Sequence, residues 1–130
     1  MINKFHLSET SLSRLEGVDS RLVEVVKLAI QITKIDFGIP QDGGLRTAQR
    51  QNELFFNGKS KADGFTNRSK HQDGLAIDVF AYVDGKASWD EHHLTHIATA
   101  MLASASRLDV RMKWGGHWTG FVDMPHFELI

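Results

Sequence analysis

The sequence contains no cysteine, so the chain can form neither a disulfide framework nor a zinc site with thiolate ligands. Any metal ion would have to be bound by imidazole and carboxylate groups. The chain also lacks an excess of either charge, because 15 Lys and Arg residues balance 16 Asp and Glu residues and leave a formal net charge of -1. This balance gives no broad attraction to nucleic acid or to an anionic membrane surface.

Long apolar segments are absent as well. The sequence has no run of about 18 apolar residues that could span a bilayer, and residues 1–6 lack the basic and apolar regions of a signal peptide. We therefore expect a protein made in soluble form in the cytosol, without stable membrane association. With 130 residues, 42% of them hydrophobic, the chain has the length for one core, and we expect a single domain over residues 1–130.

Three segments have the periodicity and the capping residues of helices. Apolar residues recur at three- and four-residue spacing over 22–30, behind Asp19 as a suitable N-cap. Thr47 is placed to cap a second helix that ends near Asn57, before a glycine stop signal. A third helix is predicted from about residue 90 to about residue 107.

Strand signals come later in the chain. A β-branched and aromatic segment over 75–83, closed by a turn signal at Asp84-Gly85, predicts a central strand. Shorter strands are predicted over 110–114 and 126–130, and the polar segment 58–69 is predicted to be a loop that forms a mobile rim over a site. Helices followed by strands indicate an α+β fold.

Two short constellations carry residues suited to chemistry. His71 precedes a glycine turn, and Asp78 lies on the following strand among apolar neighbours, where an unpaired carboxylate would be costly unless a cation or hydrogen-bond donors meet it. Asp123 stands three residues before His126 at the start of the last strand. Two histidines and one aspartate match a catalytic zinc site that keeps a position open for water.

The combined pattern resembles a known family of zinc peptidases. Its parts are Ser69-x-His71-x-x-Gly74-x-Ala76-x-Asp78 and Asp123-x-x-His126, with Arg46 upstream. The family includes D-alanyl-D-alanine dipeptidases and carboxypeptidases, and the pattern is most similar to that of the phage L-alanyl-D-glutamate endopeptidase endolysins. The resemblance covers roughly residues 36–130.

The resemblance implies roles for individual residues. His71, Asp78 and His126 would bind Zn²⁺, and Asp123 would be the general base that activates water. Arg46 would stabilise the developing oxyanion or bind a substrate carboxylate, which gives it a catalytic and a substrate-binding role. Ser69 would be a further substrate contact.

The resemblance also implies an architecture and a biological setting. A small antiparallel sheet would hold the zinc, with helices packed on one side. The enzyme would hydrolyse the L-alanyl-D-glutamate bond of peptidoglycan stem peptides as a phage or prophage endolysin. It would be made in the host cytoplasm and would act on the wall after release, as a monomer, with a holin as a functional partner that it does not bind directly.

Other interpretations stay open at this point. A D,D-carboxypeptidase or dipeptidase would share the metal ligands and cut another bond, whereas a non-catalytic, zinc-stabilised wall-binding or virion module would need no base at Asp123. Asp78 could be satisfied by backbone amides or by an arginine, and His126 could be an ordinary packed residue. Glu128 is a rival base, although it is better placed as a hydrogen-bond acceptor for a ligand histidine.

Several other polar residues are assigned no chemistry. His92 and His96 have the i, i+4 spacing of a zinc-binding helix, but His93 stands where the H-E-x-x-H motif requires glutamate, so we interpret them as a polar helix face. His117 lies in a Gly- and Trp-rich stretch and has no assigned role. Basic residues near the predicted rim are interpreted as a solvated face: Lys59, Lys61, Arg68 and Lys70.

Overall fold

The computed structural model describes residues 3–130, and its helices begin at capping side chains. At each helix start a side-chain oxygen accepts a hydrogen bond from a backbone N–H of the first turn, which satisfies a donor that has no partner inside the helix. The caps are Ser8, Asp19, Thr47 and Asp90. The helices are α1 (Glu9–Arg14), α2 (Ser20–Ile32), α3 (Ala48–Phe56) and α4 (Glu91–Arg107).

The three helices predicted from the sequence are thus confirmed as α2, α3 and α4. Helix α1 was not predicted, because six residues are too few to show a helical period. Two short 3₁₀ helices, Lys70–Asp73 and Gly115–His117, complete the helical structure of the described chain.

The small antiparallel sheet that the resemblance implied is present, and the strands form a second small antiparallel sheet as well. The strands are β1 (Phe37–Gly38), β2 (Ala76–Asp78), β3 (Phe80–Val83), β4 (Lys86–Ser88), β5 (Met112–Trp114) and β6 (His126–Leu129). One sheet has the order β1-β3-β4 and the other has the order β2-β6-β5.

The prediction of one continuous strand over 75–83 is wrong. It divides at Val79, whose N–H donates to the Pro125 carbonyl oxygen at 2.9 Å instead of continuing a ladder. Before this point β2 pairs with β6, and after it β3 pairs with β1 and β4. Asp78 therefore lies at the end of a strand, where its side chain is not enclosed by a continuous sheet.

The hydrophobic core lies between the helices and the sheets. Helices α2 and α4 pack against each other, and α4 also contacts strands β3 and β5. The apolar face predicted for α2 is fully or almost fully buried: Leu22, Val25, Val26, Ala29 and Ile30. No helix within residues 3–130 is long and apolar enough to cross a membrane. Helices packed on small antiparallel sheets confirm the α+β class.

The register of two strands brings two sequence-distant side chains together. In the β2–β6 pair, Asp78 lies opposite His126 and Ala76 lies opposite Glu128. Residues directly opposite each other on an antiparallel pair have Cβ atoms only about 5 Å apart. The sheet alone thus places a carboxylate beside an imidazole.

Candidate metal centre

The three predicted metal ligands meet at one point. His71 comes from the 3₁₀ helix 70–73, Asp78 from the end of β2 and His126 from the start of β6. The Oδ1 atom of Asp78 lies 3.2 Å from His126 Nδ1 and 3.5 Å from His71 Nε2. One donor atom from each residue lies within 4.8 Å of the others.

His71 is oriented by a backbone carbonyl group. Its Nδ1 atom lies 3.0 Å from the carbonyl oxygen of Gly44, which can only accept, so Nδ1 carries the hydrogen and Nε2 is free to bind a metal. The backbone of His71 is fixed as well, because Ser69 caps its 3₁₀ helix and the Arg46 N–H donates to the His71 carbonyl oxygen at 3.0 Å. His71 is only 2% exposed, which excludes an ordinary surface histidine.

His126 is oriented by a carboxylate on its own strand. Its Nε2 atom lies 2.9 Å from Glu128 Oε1, and this acceptor leaves Nδ1 directed at Asp78. The side chain of Lys70 holds Glu128 from the other side at 3.4 Å and donates to the carbonyl oxygen of Leu129. The prediction that Lys70 belongs to a solvated face is therefore wrong, because its ammonium group folds back onto β6.

The donor set fits a zinc ion. Two ligand atoms about 2.0–2.1 Å from a tetrahedral zinc lie roughly 3.3 Å apart, close to the separations measured around Asp78 Oδ1. Each imidazole also has its second nitrogen bound to an acceptor, as metal-bound histidines almost always do. Three protein ligands correspond to a site with an open coordination position.

The electrostatics of the cluster favour charged groups. Burial alone would raise the pKa of the Asp78 carboxyl, but hydrogen bonds from His126 and His71, together with their charges, lower it well below its ordinary value. Burial alone would lower the pKa of His126, but its hydrogen bond to Asp78 and the neighbouring carboxylates raise it. Positive charge on His126 and negative charge on Asp78 thus stabilise each other in this cluster.

Arg46 lies at the edge of this cluster and is heavily engaged. Its guanidinium donates to Asp78 Oδ2 at 3.1 Å, to the Asp42 carbonyl oxygen at 2.7 Å and to Gln51 Oε1 at 3.0 Å. Only 12% of its side chain is exposed. Its immediate partner is therefore a predicted metal ligand, and the substrate and oxyanion roles inferred from the resemblance also stay predictions.

Asp123 lies close enough to the cluster to interact with it electrostatically. Burial and the negative charge of Asp78 raise the pKa of the Asp123 carboxyl, while the charges of His126, His71 and Arg46 oppose that rise. Its backbone is held by Gly115, whose carbonyl oxygen accepts from the Asp123 N–H at 3.0 Å. A Cβ at Gly115 would overlap the Asp123 carbonyl oxygen, so this close approach requires glycine.

The remaining sequence candidates have less specific surroundings. The Ser69 hydroxyl accepts from the His71 N–H at 3.2 Å, so its observed role is to cap, and its substrate contact stays a prediction. His92 and His96 have ring centroids 4.9 Å apart on α4, away from the metal cluster. The ring of His117 packs edge-on against Trp114.

Sequence reasoning missed a glycine loop that supports the ligands. The Gly43 carbonyl oxygen accepts from the Asp78 N–H at 2.8 Å, and the next carbonyl, that of Gly44, accepts from His71. A Cβ at Gly44 would overlap the Arg14 carbonyl oxygen, so the loop fits only without a side chain. The pair of glycines just before Arg46 was the available signal, because consecutive glycines often mark a close backbone approach.

Sequence comparison with known proteins identifies one group of related proteins. The family model described as phage L-alanyl-D-glutamate peptidase matches residues 3–130. The L-alanyl-D-glutamate peptidase of Escherichia phage T5 is 28% identical over 138 aligned positions, covering 97% of this chain and 98% of that protein. The peptidoglycan L-alanyl-D-glutamate endopeptidase CwlK of Bacillus subtilis is 28% identical, covering 91% of this chain and 75% of that protein.

A solved structure agrees with these sequence matches. The crystal structure of the Serratia marcescens L-Ala D-Glu endopeptidase ChiX superimposes with a TM-score of 0.85 at 34% identity. The superposition covers 98% of this chain and 92% of that one, so the similarity extends over both sheets and all the helices described above.

Proposed function

The chain belongs to the phage L-alanyl-D-glutamate peptidase family and is a cell-wall endopeptidase, and we propose that it works as a zinc enzyme with His71, Asp78 and His126 as ligands. The single observation that carries the metal assignment is the convergence of three buried or half-buried donors on one point, each oriented by a further hydrogen bond. A bound zinc ion would supply Lewis acidity, which polarises a carbonyl group and makes a water molecule more acidic.

In this proposal Asp123 is the general base. Its carboxyl lies beside the three proposed ligands and is not one of them. A proton acceptor for the attacking water must lie in such a position, near the metal site but not bound to the metal. Asp123 takes the water proton as the oxygen attacks the L-alanyl carbonyl carbon, and it gives that proton to the leaving nitrogen as the C–N bond breaks. The products are a glycan fragment that ends in the L-alanine carboxylate and a peptide with a new D-glutamyl amino terminus.

The other site residues would hold this arrangement in place. Arg46 fixes the second oxygen of Asp78 and brings a positive charge to the site, which favours the oxyanion that forms on the carbonyl. The ring of Trp118, 5.1 Å from that of His126 between centroids, covers the ligand on the side of the Asp123 loop. Ser69 fixes the backbone of His71 by capping its 3₁₀ helix. Ser69 would contact the peptide only through its hydroxyl group, which already serves as this cap.

The biological setting belongs to the same proposal. The peptidoglycan stem peptide is the substrate, and the enzyme acts on the host wall as an endolysin after release from the host cytoplasm. A holin would allow the enzyme to pass from the host cytoplasm to the wall without binding it directly. Residues 1–130 would work as one monomeric domain. A D,D-carboxypeptidase would use the same ligands, so the products must distinguish the two reactions.

The test is digestion of purified Gram-negative peptidoglycan, with mass spectrometry of the released peptides and labelling of new amino termini. We expect new D-glutamyl amino termini that vanish with chelator and return with added zinc. Asp123→Asn should retain zinc and lose hydrolysis by at least about 100-fold, because general base catalysis contributes about that much or more. Released D-alanine would indicate the D,D-peptidase, and bound zinc without any product would indicate a binding module.

A further inference from the structure

Lys61 links the rim loop to the loop that carries Asp123. The rim loop, residues 58–69, runs from the end of α3 to the 3₁₀ helix that holds His71. The ammonium nitrogen of Lys61 lies 4.3 Å from the centre of the Phe121 ring, within the range of a cation–π contact. Phe121 stands two residues before Asp123, so this contact joins the rim loop to the segment that carries the proposed base.

The backbone around Lys61 is tied to the metal cluster. Gln51 Nε2 donates to Ser60 Oγ at 2.7 Å and to the Ala62 carbonyl oxygen at 2.8 Å, so it holds the residues on both sides of Lys61. Its Oε1 accepts from Arg46 at 3.0 Å, and Arg46 in turn binds Asp78. Two side chains thus connect the position of Lys61 to a metal ligand.

Lys61 also differs from its basic neighbours in its availability. Arg68 pairs with Asp73 at 2.8 Å, the ammonium group of Lys70 is folded onto β6, and Arg46 is committed to Asp78. Within residues 3–130, Lys61 is exposed and forms no ion pair with a carboxylate. A substrate carboxylate would therefore not have to displace a protein carboxylate from Lys61.

We propose that Lys61 determines specificity by binding the free α-carboxylate of the D-glutamyl residue next to the scissile bond. This inference rests on the proposed function. In the stem peptide the D-glutamyl residue is linked to the next residue through its γ-carboxyl, so its α-carboxylate stays free. This carboxylate is attached to the same Cα atom as the nitrogen of the bond that is cut. A lysine ammonium group forms a charge-assisted hydrogen bond with this carboxylate and a weaker one with the α-carboxamide of a D-isoglutaminyl residue.

The test compares two synthetic stem peptides that differ in this one group, the D-glutamyl peptide and its α-carboxamide. The zinc-loaded wild-type protein, Lys61→Met, Lys61→Arg and Lys59→Met are assayed with both. Lys59→Met is the matched control, because Lys59 is exposed on the same loop and, within residues 3–130, makes no cation–π contact with Phe121. Methionine keeps the apolar packing on Phe121 while removing the charge, and zinc content verifies that each variant retains the site.

We expect wild type and Lys59→Met to prefer the carboxylate peptide roughly tenfold in kcat/KM, Lys61→Arg to keep most of that preference, and Lys61→Met to lose it. A merely structural role would lower both rates together and leave their ratio unchanged. If wild type cuts both peptides equally, or if Lys61→Met keeps the preference, the inference is overturned while the endopeptidase function stands. If zinc-loaded wild type cuts neither peptide, the proposed function fails and the inference fails with it.

Discussion

Replacing Gln51 by methionine would test whether the metal site depends on the hydrogen bonds behind it. Gln51 is 0% exposed, and its side-chain amide makes three hydrogen bonds, to Arg46, Ser60 and Ala62. Methionine has a similar volume, so the substitution removes the polar contacts with little change in packing. We expect both the stability of the fold and the affinity for zinc to fall.

The magnitude follows from the groups that lose a partner. A hydrogen bond to a charged group contributes about 1.5–3 kcal/mol, and this applies to the bond from Arg46. The bonds to Ser60 and Ala62 contribute about 1 kcal/mol each, although water can replace part of this at half-buried positions. A total near 3 kcal/mol is a large share of the roughly 5–15 kcal/mol that stabilises an ordinary domain.

The assay is urea unfolding of the metal-free protein together with a zinc titration by competition with a chelating dye. We expect a loss of about 3 kcal/mol, equivalent to a fall in Tm of roughly 10 °C, and zinc affinity weakened about tenfold because Arg46 no longer holds Asp78 firmly. Gln49→Met is the control, since Gln49 is exposed on the same helix and should change stability by less than about 0.5 kcal/mol. If Gln51→Met matches this control in both measurements, the supporting role assigned to Gln51 is refuted.

Two further predictions concern the histidine side of the centre. Because the pKa of His126 is raised, zinc must displace a proton from it, and zinc affinity should weaken about tenfold for each pH unit below that pKa. Calorimetric titration in buffers of different ionisation enthalpy measures the released proton. A zinc affinity that does not change between about pH 6 and pH 8 would contradict the assignment. Glu128→Gln keeps an acceptor for His126 but removes the negative charge, so zinc affinity should fall about tenfold. Glu91→Gln, at an exposed position on α4, should leave it unchanged, and equal affinities for the two variants would argue against Glu128 as a support.

The sequence was most informative where local chemistry decides the structure. The caps at Asp19 and Thr47 predicted two helix starts because an N-cap side chain bonds to the turn that follows it, whatever the rest of the fold does. The family resemblance, which the comparisons confirm, depended on residue types and spacings that are likewise local. The predicted ligands Asp78 and His126 meet for a less local reason, namely the register of β2 against β6, and His71 joins them from the 3₁₀ helix 70–73.

The sequence was less informative where a distant partner decides. The segment 75–83 has the composition of one strand, yet a hydrogen bond to Pro125 divides it. The residues of the segment itself do not indicate that it will bind Pro125. Lys70 was interpreted as solvated because its neighbours are polar, whereas its ammonium group is bound by a strand that follows 56 residues later. Gln51 looked like any helical glutamine, since its role depends on a loop and an arginine that lie outside its own helical turn.

The two kinds of support around the metal centre have different consequences for metal binding. Asp78 and His126 are held by strand pairing, whereas His71 is held by the Gly44 carbonyl, the Arg46 N–H and the Ser69 cap. All of these contacts are made by groups of the chain itself, so they restrict the orientation of the predicted ligands and would lower the entropy cost of zinc binding. The affinity for zinc should therefore depend on deprotonating His126, and any change that loosens the Gly43–Gly44 loop should weaken the site through both side chains whose backbone or ring it binds, Asp78 and His71.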